Sequence, residues 1–145
     1  MSKYFRVIRY FYRICRKCLS KVFVFSGLFY EQWINGKANK YYRKNDEWKN
    51  SEFLLIPIFI NLHWSWLVVI NPSRIVDSLS LAEMLPEERS HTTMVFFDSL
   101  KGYHDPEVIF LQFIDFIASR IDENFKVSNE SKRHFINNHT IIQEG

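Results

Sequence analysis

The stretch FINLHWSWLVVI, residues 59–70, decides how this sequence is read. From His63 to Ile70 it is aromatic and β-branched, bounded by Asn61 before and Asn71-Pro72 after, which predicts a strand. A histidine followed by a tryptophan stands at the mouth of that apolar run. His63 is either one polar residue closing a core strand or a working imidazole, and the residues around it must decide.

Working outward, FLLIPIFI (53–60) is a continuous apolar run of strand length, in which Pro57 points to an edge or bulged position. MVFFDSL (94–100) predicts a further strand, ended by Lys101-Gly102. Between the strands, residues 73–93 are too polar and too long for a hairpin turn. They read as an insertion outside the core with one short helix over LSLAEML. Two consecutive strands separated by such an excursion usually pair antiparallel. If His63 lies opposite Asp98, Leu67 lies opposite Met94. Both strands are apolar on both faces, so helices are expected to cover each side. A His and an Asp then meet at one rim of the sheet, the arrangement that an imidazole base and its orienting carboxylate require. Either residue alone is commonplace at a strand end; opposed, they form a candidate pair.

The flanking segments supply helices and connections. VFVFSGLFYEQW (22–33) is a short apolar run leading into a helical segment, and residues 35–52 form a polar connection. After Gly102, Asp105 can cap a helix, Pro106 suits its first turn and Glu107 complements its dipole. Phe110, Phe113, Ile114, Ile117 and Ile121 keep helical spacing, and the helix is predicted to run to about Phe125. Residues 127–140 are polar and read as a loop. His91, His104, His134 and His139 sit in polar turns and read as solvated surface residues.

The 145 residues are enough for one domain with a real core. With 47% hydrophobic and 17% aromatic residues, the chain is not compositionally disordered, and its few Gly and Pro argue against repeats. A formal charge of +3 does not by itself argue for nucleic acid, but the charge is uneven. Lys3, Arg6, Arg9, Arg13, Arg16, Lys17 and Lys21 all precede the first acid, Glu31. Residues 1–21 therefore read as a basic helical segment on the domain surface, with a mitochondrial presequence as the alternative. Its arginines interrupt any signal-peptide core, and no run approaches the roughly 20 apolar residues of a membrane span. Cys15 and Cys18 form a lone CxxC without the further ligands of a structural zinc site. They read as two thiols on one helix.

Taken in order, these segments resemble the ubiquitin-like-protein proteases, the SUMO (sentrin)-specific cysteine peptidases. FLLIPIFINLHWSWLVVI resembles the family's strand-turn-strand leading to a catalytic His-Trp, and MVFFDSLKG its strand ending in a catalytic Asp. The helix after YHDPEV resembles the family's next helix, and the closing TIIQEG resembles the opening of its terminal Gln-x-x-x-x-Asp-Cys-Gly pattern. The resemblance covers residues 22–145, read as a partial catalytic domain with its insertion at 73–93, and is nearest to the branch that trims poly-SUMO chains. It implies an α+β, adenain-like (papain-like) fold, a central mixed sheet flanked by helices and incomplete at both ends. It implies His63 as general base, Asp98 as the carboxylate fixing its tautomer, Gln143 as an oxyanion donor, and Trp64 flanking the tunnel for a di-glycine tail. Trp66, two residues on, reads as a core aromatic. SUMO or another ubiquitin-like modifier and its conjugates are the implied partners. No cofactor, metal, nucleic acid or membrane span is implied; a monomer working in the nucleus or cytoplasm is expected.

Two departures from the family pattern bear on activity. The nucleophilic Cys would fall at about position 149 by the motif's own spacing, beyond Gly145, and the N-terminal Trp-Leu-Asn-Asp motif is absent. The chain is therefore expected to be a fragment lacking its nucleophile, and inactive as it stands. A non-catalytic SUMO-binding remnant of the same fold is the alternative. A small basic protein associated with membranes or RNA, with accidental HW and DS matches, is a third reading.

Overall fold

The computed structural model of the chain describes residues 21–36, 47–80 and 91–144. The basic helix over residues 4–19, the Cys15/Cys18 pair, much of the polar connection and the bulk of the LSLAEML segment lie outside the described residues.

Five strands form one mixed sheet: β1 (Val22–Val24), β2 (Phe53–Ile60), β3 (His63–Ile70), β4 (Thr93–Asp98) and β5 (Thr140–Glu144), in that spatial order. The middle three are antiparallel, while β1 and β5 join the flanks in parallel to β2 and β4. A parallel join requires a crossover connection. The crossover to β2 carries α1 (Phe29–Ile34) and a 3-10 turn (Glu47–Asn50); the one to β5 carries α3 (Pro106–Ile121) and α4 (Asn129–His139). A short helix, α2 (Ile75–Leu79), follows β3 after a 3-10 turn at Pro72–Arg74.

Strand alternation sorts the core into two faces. Leu54, Ile56 and Ile58 of β2, Leu67 and Val69 of β3, and Met94 and Phe96 of β4 share the main cluster with α1, α2, α3 and Phe135 of α4. The aromatics interlock there: Trp48 stacks on Phe116 at 5.4 Å, and Phe25 meets Phe29 edge-on at 4.6 Å. On the opposite face Leu55, Trp66 and Val68 are buried among Val22, Val24, Ile70, Val95 and Phe97, all strand residues. Among the described residues the helices thus gather on one face, rather than on both as expected. No helix among them is long and apolar enough to cross a membrane.

Several expectations need correction. Pro57 lies in an inner strand, yet β1 reaches only Phe53 to Leu55, so among the described residues Pro57 has a single strand neighbour, Trp66 on β3. That is a local edge, and the missing N–H costs no ladder bond there. Residues 73–93 do not all lie outside the core: Ile75 and Leu79 are fully buried in the main cluster. Their i,i+4 spacing turns both side chains to one face of α2. Helix α2 thus precedes LSLAEML, meeting it at Leu79, and most of that segment lies outside the described residues. The polar stretch read as a loop is mostly α4, capped by the Ser128 hydroxyl, which accepts from Ser131 N at 3.0 Å. Helix α3 has the expected Asp105 cap, accepting from Glu107 N at 3.0 Å, but ends at Ile121 rather than near Phe125.

Candidate active site

The β2–β3 hairpin turns through Asn61 and Leu62, both with positive φ (51° and 61°). Two successive left-handed residues give the backbone twist of a two-residue hairpin and bring His63 to the first position of β3. Asn tolerates this conformation; Leu does so at a cost, and its side chain is 90% exposed.

The β3–β4 register pairs Ser65 with Asp98 and Val69 with Met94. The expected pairing of His63 with Asp98 is thus off by two residues. A slip of two leaves every side chain on its face, so His63 still projects on the same side as Asp98 and reaches it diagonally. The His63 Nε2 lies 2.7 Å from Asp98 Oδ1, with the histidine side chain 14% exposed and the aspartate 4%.

Asp98 is held from three directions. Its Oδ1 accepts from His63 Nε2 and from Leu100 N at 3.0 Å, and its Oδ2 accepts from His104 N at 3.0 Å. The chain after β4 can wrap the carboxylate because Gly102 turns it with a φ of 74°. Tyr103 ties this turn to the hairpin, its hydroxyl donating to the Asn61 carbonyl at 2.8 Å. Burial pushes the Asp98 carboxyl up, but the His63 hydrogen bond, the two backbone N–H groups and the His63 charge outweigh it. The carboxyl is held below its ordinary value. An ionised carboxylate only accepts, so Nε2 of His63 carries a proton, and whenever the ring holds one proton Nδ1 is the nitrogen left to act as a base.

His104 is the residue that sequence reasoning misplaced. It is 4% exposed rather than solvated, with Nδ1 2.6 Å from Ser65 Oγ and Nε2 3.0 Å from the Ile60 carbonyl. Its ring stands 5.0 Å from that of His63, and Tyr103 meets His63 from another side at 4.6 Å. Its sequence signal was slight: a His six residues after the Asp, at the end of a Gly-containing turn that has to fold back over the carboxylate.

The other two site candidates lie elsewhere. Trp64 alternates to the face away from His63, half-buried, with its ring 4.5 Å from that of Phe59 across the hairpin. Trp66 is buried on that same face, as expected of a core aromatic. Gln143 pairs with Phe97 on β4 and so shares the Phe97 face, while Asp98 belongs to the other. It is exposed, at the same end of the sheet as the His63–Asp98 pair but not joined to it.

Comparison with known proteins gives the family and the fold. A family model described as the Ulp1 protease family, C-terminal catalytic domain, matches residues 4–144. The chain belongs to the Ulp1 protease family. Its fold is similar to that in a crystal structure of a de-sumoylating protease, with a TM-score of 0.54 and 19% sequence identity over 87% of this chain. This chain spans 43% of the length of that one. No curated protein matches.

Proposed function

We propose that this chain carries the base and orienting carboxylate of a SUMO-specific cysteine isopeptidase, which cuts after the di-glycine tail of the modifier. The observation that carries the reading is the 2.7 Å contact between His63 Nε2 and a buried, ionised Asp98 in a chain of the Ulp1 protease family. With Nε2 engaged by the carboxylate, Nδ1 is free to take the proton of a thiol. The resulting imidazolium is stabilised by Asp98, the thiolate attacks the carbonyl of the tail's last glycine, and the imidazolium gives its proton to the amine that leaves as the C–N bond breaks.

The nucleophile in this reading is a cysteine following Gln143 in a longer chain, since the 145 residues hold only Cys15 and Cys18. Gln143 as oxyanion donor is supported by the resemblance and by its level along the sheet, and Trp64 as tunnel wall by its half-exposed ring. SUMO conjugates in the nucleus or cytoplasm are the partners the family reading supplies.

The test is cleavage of a SUMO conjugate by the chain as given and by the chain extended through an Asp-Cys-Gly. The 145-residue chain should release nothing, and the extended chain should act as a thiol-dependent peptidase blocked by alkylation. In it His63→Ala should abolish cleavage, and Asp98→Asn should lower kcat by up to about 10⁴-fold because the imidazole takes the wrong tautomer. An extended chain that binds SUMO without cutting it would establish the non-catalytic remnant instead.

A further inference from the structure

Asp98 orients His63, but something must in turn orient Asp98. One of the three donors on that carboxylate is the backbone N–H of His104, which alone addresses Oδ2 among the described residues. A backbone amide at the end of a six-residue turn is only as well placed as the residue that carries it. His104 is anchored by its side chain at two points on the strands beneath. The Ile60 carbonyl can only accept, so Nε2 of His104 carries the proton and donates to it at 3.0 Å. In that tautomer Nδ1 is the acceptor, and the Ser65 hydroxyl donates to it at 2.6 Å.

Both anchors belong to the frame that positions the candidate base. Ile60 pairs with His63 at the end of the β2–β3 hairpin, and Ser65 is the direct cross-strand partner of Asp98. The His104 ring fills the space beside the His63 ring, at 5.0 Å and 64°. The His104 ring and the Ser65 hydroxyl are buried and the Ile60 carbonyl is partly so, so an unmade bond between ring and hydroxyl would leave a polar group stranded.

We infer that His104 is a positioning residue: its two side-chain hydrogen bonds clamp the 99–104 turn onto the hairpin, and its backbone N–H then holds Asp98 in the orientation that fixes the His63 tautomer. The inference rests on the reading of His63 and Asp98 as a catalytic pair, and goes beyond it by naming what holds that pair.

Nuclear magnetic resonance of the 145-residue chain tests it without needing turnover. Long-range ¹H–¹⁵N correlations report which His63 nitrogen is protonated, and the exchange of its Nε2 proton with water reports how firmly Asp98 holds it. His104→Phe keeps a ring of similar size but removes both anchors. It should speed that exchange by about fivefold or more, the equivalent of one ordinary hydrogen bond, and populate the Nδ1-protonated tautomer. His104→Gln, which keeps an N–H for the Ile60 carbonyl, should restore much of the wild-type pattern. A purely structural role would lower the melting temperature and leave the tautomer and exchange rate where they are, and that result overturns the inference. If His104→Phe does not fold, Ser65→Ala decides: faster exchange supports the clamp, and an unchanged rate overturns it. Asp98→Asn separates the two levels. If it shifts the His63 tautomer while His104→Phe does not, the clamp fails and the pair stands; if neither shifts it, the pair itself fails.

Discussion

Ser65, not His63, stands directly across from Asp98, and His63 reaches the carboxylate along the diagonal of the β3–β4 ladder. The two positions divide the work. The direct partner is a small hydroxyl that serves the buried His104, which leaves room for the imidazole to approach Asp98 from the rim. A histidine in the direct position would place its ring deeper under the sheet end, away from any substrate.

The Asp98 site makes stability depend on pH in one direction. The carboxyl is held below its ordinary value of 3.8, so the folded state binds its proton less readily than the unfolded chain does. Its contribution is therefore complete above the unfolded value and is lost as pH falls through the lower, folded one. Urea midpoints measured from about pH 6 down to pH 2 should show this acid loss, and Asp98→Asn should flatten that part of it. An equally steep acid limb in the variant would mean that other carboxylates carry it.

Helix α2 should behave as core. Leu79 is fully buried against the main cluster, so Leu79→Ala should cost about 2–5 kcal/mol in urea unfolding. Arg74 and Asp77 on the same segment form an exposed pair at 3.5 Å, and Arg74→Ala should cost less than about 1 kcal/mol. Equal small effects would return the segment to the status of a dispensable excursion.

At the hairpin tip, Leu62 holds a φ of 61° with its side chain in solvent. The left-handed conformation costs an L-residue about 1–2 kcal/mol, and Leu62→Gly removes that strain while adding unfolded-state entropy worth about 0.5–1 kcal/mol. The net effect should be a stabilisation of up to about 1 kcal/mol, visible as a higher melting temperature. A loss of stability would show that the Leu62 side chain does something for the fold that its exposure does not suggest.

The three central strands, the Asp105 cap and the meeting of His63 with Asp98 were legible because each rests on local signals: apolar runs, turn residues and a capping pattern. The β3–β4 register was not legible to better than two residues. A slip of two preserves the faces, and strands apolar on both sides offer no pattern to choose between such registers. Helix α4 was hidden by its polarity: Phe135 is its one fully buried side chain, and the cap at Ser128 is an ordinary serine in a polar stretch. His104 could not be read as buried because its burial is made by the turn closing onto the hairpin, a tertiary event with little local signature. The face of Gln143 followed only once β5 was seen to run parallel to β4.

Gln143 and Trp64 lie on the face of the sheet opposite the His63–Asp98 contact, and their proposed roles separate in kinetics. In the extended, thiol-bearing chain, Gln143→Ala should lower kcat by about 10²-fold if it supplies one oxyanion donor, with little change in modifier binding. A donor to the developing oxyanion acts only in the transition state, so its loss falls on the chemical step. Trp64 should behave otherwise. Its half-buried ring rests on Phe59 at 4.5 Å, a surface suited to holding a side-chain-free tail against an aromatic wall. Removing it takes away contact that substrate and transition state share, so Trp64→Ala should raise KM more than it lowers kcat. Phe59→Ala, which removes the support and leaves the tryptophan, should show the same signature in weaker form. If Gln143→Ala instead raises KM alone, the residue belongs to the binding surface on that face, and the oxyanion donors must come from elsewhere in the longer chain.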